Sequence, residues 1–129
     1  MAYAIAALVG GVFYREYTKW NGYTGVTALG KVHVHLLVLG TIMFLITALY
    51  AEKLDIESQK TWKPFMICYN TGLITAVIML VVRGIIQVLN LNISKALSAS
   101  ISGIAGIGHI LLGTGLILLL VTIRKSIQE

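Results

Sequence analysis

An all-α bundle of four helices embedded in a membrane is the fold class predicted here. Three observations predict it: the apolar content, the length of the apolar runs, and the position of the charges between them. Hydrophobic residues are 57% of the 129 and charged residues 12%, with a mean hydropathy of +0.87, too apolar for a soluble domain of this length. A membrane helix needs about 20 residues, and the chain divides into runs at about 2–17, 27–50, 64–89 and 95–123. The expectation is an integral membrane four-helix bundle forming one domain over residues 1–129, with no extramembrane catalytic module.

The first run is alanine-rich, and its Gly10-Gly11 pair suits close helix packing. It carries neither the basic start nor the cleavage site of a removable signal peptide, so it is expected as a mature helix. Tyr14, Arg15, Glu16, Tyr17, Lys19 and Trp20 then form an aromatic and charged belt of the kind found at a membrane surface. Asn21-Gly22-Tyr23-Thr24-Gly25 is a turn, and Thr24 or Thr27 is placed to cap the second run. The second run stops at the charged stretch from Glu52 to Lys60. Trp62, Lys63 and Pro64 introduce the third, proline being tolerated in a first helical turn. Asn90 to Ser94 forms the last turn, with Ser94 as a cap, and Arg124-Lys125 closes the fourth run where basic residues favour the helix dipole. No internal repeat or heptad seam stands out.

The formal charge of +5 sits mostly at the ends of the runs. Those basic residues read as anchors to membrane lipid, and no nucleic acid is expected. The single cysteine, Cys68, excludes an intrachain disulfide. Counting lysine and arginine outside the runs sets Arg15, Lys19 and Lys95 against Lys53, Lys60, Lys63, Arg124 and Lys125, which puts both termini inside. Adding Lys31 and Arg83 makes the two sides equal.

Ionisable groups inside a membrane helix are costly and mark function by default. The second run holds Lys31, His33 and His35, and the fourth holds His109. With about 1.5 Å rise per residue, His33 lies roughly 8 Å, His35 roughly 5 Å and His109 roughly 2 Å from the midplane, all toward the same side. Residues two apart on a helix point about 200° apart, so His33 and His35 address different faces. Ser102, Gly106, His109 and Gly113 share one face of the fourth run, and the glycines leave room there for something broad and flat. Gly30, His33 and Gly40 repeat that pattern on the second run. Depth thus favours His35 as the partner of His109, while glycine spacing favours His33.

Tyr69, Gly72, Ala76, Met79 and Arg83 follow one face of the third run. If a haem lies among these helices, Arg83 and Lys31 are placed to pair its propionates; otherwise each snorkels to the surface. Met79 is an alternative axial ligand, or a gap filler. Asn70 and Thr71 read as interhelical hydrogen bonders.

His33-Val34-His35-Leu36-Leu37-Val38-Leu39 with Gly40 resembles the His-x-His helix of haem-copper oxidase subunit I and its nitric-oxide-related relatives. That resemblance implies that His33 is an open-site haem ligand and that His35 joins His109 on a low-spin haem. The further histidines that hold copper in those oxidases are missing, and there are four runs only, so proton-pumping oxygen reduction is not implied. Ile101-Ser102-Gly103-Ile104-Ala105-Gly106-Ile107-Gly108-His109, with the four-run plan, resembles a small uncharacterised bacterial membrane family.

Three functional classes follow. The first is a b-type haem protein of the bacterial cytoplasmic membrane, for electron transfer or for binding oxygen or nitric oxide, with His33, His35 and His109 as candidate iron ligands. Arg83, Lys31, Met79, Gly106 and Gly113 would line that haem. No Cys-x-x-Cys-His occurs, so covalent attachment of the haem is excluded. The second class is binding or transport of copper or zinc by the same imidazoles. The third is a cofactor-free accessory or assembly subunit. Four short helices leave little room for a haem, so a homo-oligomer with the cofactor at its interface is expected, along with a respiratory redox partner. Acid-base or nucleophilic catalysis finds no carboxylate or serine at usable spacing.

Overall fold

In the computed structural model, residues 1–128 are described and form four helices without a strand. Helix α1 spans Ala2–Trp20, α2 Leu29–Ala51, α3 Trp62–Val88 and α4 Lys95–Gln128. Three of them, α2, α3 and α4, are long and apolar enough to cross a membrane. Helix α1 carries Arg15, Glu16 and Lys19 in its last turns. Only 22% to 28% of the most apolar window of each long helix is buried inside the chain. Exposed residues such as Leu45, Leu49, Ile110 and Ile117 therefore need lipid or another chain as their solvent.

Two of the helix ends follow directly from local chemistry. Helix α1 stops where Gly22 takes a φ of 58°, and Tyr23 N–H returns to Thr18 O at 2.9 Å while Gly22 N–H returns to Lys19 O at 3.1 Å. Asn90, at φ 53°, ends α3 in the same way, with Leu91 N–H bonded to Ile86 O. Both closures satisfy carbonyls that a helix end leaves free. Ser94 Oγ accepts Leu97 N–H at 3.2 Å, capping α4. Thr27 sends its hydroxyl to Gly84 O at 3.1 Å, tying the start of α2 to α3.

The core is the antiparallel pairing of α3 with α4. Ile101, Gly108, Leu112, Gly115, Leu119 and Thr122 are the buried residues of α4. Their spacing, completed by the half-buried Ala105, alternates four and three along the whole helix. This is a heptad seam, and it corrects the expectation that there is none. The seam is cut from small residues. A Cβ on Gly72 would collide with Leu112 N, one on Gly108 would come within 2.9 Å of Ala76 N, and one on Gly115 within 2.7 Å of Tyr69. Backbones approach this closely only where the side chain is a hydrogen atom, the usual route to helix contact in lipid. Phe65, Tyr69, Leu73, Leu112 and Leu119 fill the rest, and Thr61 and Thr122 share a hydrogen bond of 2.6 Å near one end.

Helices α1 and α2 pack on this pair through α3. Leu29 lies against Gly84, while Ala7, Val32 and Leu36 form a second small core. Tyr3 donates to Asn70 Oδ1 at 2.5 Å, tying α1 to α3. Asn70 thus joins two helices as expected, whereas Thr71 is exposed.

The hydrogen-bond ladder of α2 changes along its length. Leu29–His35 and Met43–Ala51 are α-helical, and Leu36–Ile42 between them is a π-helical segment. This wide turn begins at the residue after His35.

Candidate functional site

His35 occupies the last α-helical position of α2 before the wide turn. Its Nδ1 lies 2.9 Å from Lys31 O, one turn back on the same helix. His109 makes the equivalent contact, Nδ1 to Ala105 O at 2.7 Å. A carbonyl only accepts, so in each neutral ring Nδ1 carries the proton and Nε2 keeps a free lone pair. That is the tautomer a metal-ligating histidine adopts when its second nitrogen is held by the protein.

The two rings meet edge to face between α2 and α4, both of which pack on α3. Their centroids are 6.3 Å apart and their planes 85° apart. That spacing and angle are those of an edge-to-face ring contact.

One side of the pair is open. His109 is exposed, and a Cβ on Gly103, Gly106 or Gly113 would meet nothing within 4 Å. A polar ring in the middle of an apolar helix and facing outward is costly in lipid. At the end of that open face, Arg83 reaches across from α3. It donates to Ser98 Oγ and Ser98 O at 3.1 Å each and to Ser102 Oγ at 2.7 Å. All three acceptors are neutral, and the one ion pair found among the described residues is Arg15 with Glu16. The guanidinium charge consequently has no carboxylate partner in the described chain. It sits about 10 Å along α4 from His109, on the same face.

The structure separates other residues that the sequence grouped together. His33 turns toward α1, where a Cβ on Gly11 would lie 3.7 Å from its own Cβ. Its Nδ1 is buried without a hydrogen-bond partner. His33, His35 and His109 therefore do not converge. The physical reason is the 200° between positions two apart on a helix. The glycines beside His33 make room for α1 rather than for a flat ligand, since Gly30 packs on the ring of Tyr14 and Gly40 on that of Tyr3. Lys31 is exposed, and its carbonyl is what orients His35. Met79 is half-buried on the same face as Tyr69, Gly72 and Ala76, which pack against α4. Among the described residues no three His, Cys, Asp or Glu side chains come together. The wide turn Leu36–Ile42 after His35 has no signature in the apolar pattern of the run, which continues through it unbroken.

These features define a class: an all-α bundle with three membrane-length apolar helices and two imidazoles in edge-to-face contact. The chain belongs to the family described as a protein of unknown function (DUF2871), which it matches over residues 1–126. No curated protein and no solved structure matches it.

Proposed function

We propose that this chain is a b-type haem protein of the membrane, with His35 and His109 as the axial ligands. The observation that carries this reading is the ring pair itself: 6.3 Å between centroids, with both Nδ1 atoms held by carbonyls and both Nε2 atoms left as ligands. The open face at Gly106 and Gly113 provides room for a porphyrin beside His109. Arg83, without a carboxylate of its own, would pair a propionate there, and Lys31, one turn before His35, would serve another. A haem with two imidazole ligands is suited to electron transfer, because no coordination position is left for a gas. The role implied for His35 by its resemblance to the oxidase helix agrees with this reading, and an open-site role for His33 receives no support.

The same reading places the protein in the cytoplasmic membrane of a bacterium, with both termini inside and a respiratory redox partner. A second copy would cover the outward edge of the haem. Copper or zinc binding has less behind it, since only two imidazoles meet and no third donor joins them among the described residues.

The test is an absorption spectrum of protein purified after expression with ample haem, taken oxidised, reduced and reduced with carbon monoxide. A six-coordinate low-spin spectrum, unchanged by carbon monoxide and lost in both His35→Ala and His109→Ala, is expected. Protein without a Soret band would sink the proposal and leave the two rings as an edge-to-face contact.

A further inference from the structure

We infer that the wide turn Leu36–Ile42 is what aims His35 at His109, and that Tyr69, which holds this turn, is a positioning residue for the pair. Its haem-dependent consequences rest on the proposed function above. The placement of the two rings does not.

The argument starts from how α2 is anchored. The half before the turn is fixed by Leu29 against Gly84 and by Val32 against Gly10. The half after it is fixed by Phe44, stacked on Tyr3 at 5.7 Å, and by the buried Thr47. A π turn inserts one residue into an α-helical ladder, which rotates one half relative to the other by about 100°. Both halves are seated, so closing the turn to α-helix puts a mismatch of about 100° between them. Taken up by the first half, the shorter of the two, it unseats Leu29 and Val32 and swings His35 about 100° around the axis, off His109. His33 would not replace it, because it points about 200° from His35. Neither imidazole would then face His109.

Three contacts hold the turn open, and all of them lie within it. Tyr69 donates its hydroxyl to Leu39 O at 2.9 Å. Thr41 donates to Leu36 O, five residues back, at 3.4 Å. The ring of Tyr3 lies so close to Gly40 that a Cβ there would approach within 2.7 Å. Tyr69 is the firmest of the three. It is 1% exposed, and its own backbone is locked against Gly115. Its phenol therefore reaches α2 from a fixed point in the α3–α4 seam, and side-chain insertion into a helix ladder is a recognised cause of such distortions.

The experiment uses the full chain in lipid nanodiscs with Tyr69→Phe, Thr41→Val and a deletion of Val38, which removes the extra residue. In the haem-loaded protein, Tyr69→Phe is expected to weaken haem binding by about tenfold, the usual effect of losing a supporting contact behind a ligand, and to add a high-spin fraction. The deletion is expected to convert the spectrum to five-coordinate and carbon monoxide-reactive. A haem-free arm places His35→Cys and His109→Cys together with Cys68→Ser, which removes the native thiol, in each background and measures intramolecular bridging by a short bis-maleimide, which should fall several-fold. Should the deletion not accumulate in membranes, Tyr69→Phe and Thr41→Val carry both arms. Variants that keep the parent's spectrum and bridging yield overturn this inference and leave the proposed function standing. A parent chain that takes up no haem, but whose bridging falls in the variants, supports the inference and overturns the function.

Discussion

Gly106→Leu separates the site from the scaffold. Gly106 lies one turn before His109 on the outward face of α4, and a Cβ there meets no atom within 4 Å. The added Cβ meets nothing in the chain, so the unfolding free energy should change by no more than about 1 kcal/mol, the advantage of leucine over glycine in a helix. A porphyrin bound to His109 must lie over that same position. Haem affinity should therefore fall at least about a hundredfold, roughly 2.7 kcal/mol. Gly108→Leu is the control. Gly108 is only two residues away, but its Cβ would come within 2.9 Å of Ala76 N and 3.2 Å of Gly72 O. It would force α3 and α4 apart at about 1–3 kcal/mol or more. The assay is a haem titration followed at the Soret band in nanodiscs, with unfolding of the same samples measured separately. A Gly106→Leu protein that binds haem like the parent would refute the assignment of the open face. If it binds no less haem but loses its cross-linked oligomer, the face is an interface between copies instead.

Three further outcomes are expected. His33→Leu removes a buried nitrogen that has no partner, so it should leave the low-spin spectrum intact and raise thermal stability, by about 1 kcal/mol if the desolvation penalty of an unsatisfied group is recovered; loss of the spectrum would show that His33 is a ligand. Arg83→Gln keeps a donor for Ser98 and Ser102 but removes the charge, and should weaken haem about tenfold with only a small loss of helix stability; equal affinity in a titration at low and high salt would exclude a propionate contact. Cross-linking in native membranes should trap a homo-oligomer, and a strict monomer carrying one haem per chain would contradict the shared-edge arrangement.

The sequence made the helices legible because apolar runs of membrane length and their polar breaks are local properties. Asn21-Gly22 and Asn90 announced turns that the structure closes through left-handed residues, and Ser94 announced its cap. The heptad seam of α4 was hidden because glycine, alanine and threonine occupy much of it, while leucine and isoleucine cover the exposed faces as well. In a soluble helix the contrast between apolar and polar faces reveals the buried side. In lipid both faces are apolar, and the packing side is marked by small size, which hydropathy does not register.

The candidate site divides along the same line. That three histidines sit inside apolar helices, at similar depth and with two of them facing opposite ways, follows from sequence and helix geometry alone. Which of the two meets His109 depended on the azimuth of α2: depth favoured His35, the residue that meets it, while the glycine spacing favoured His33, because Gly30 and Gly40 receive Tyr14 and Tyr3 of α1. That azimuth is set by a π-helical segment supported from outside by Tyr69, 30 residues away in the chain. Local sequence thus determined the helices, their depth and the chemistry they carry. The tertiary structure decided which faces meet, because the rotation of a helix about its axis is settled by its neighbours.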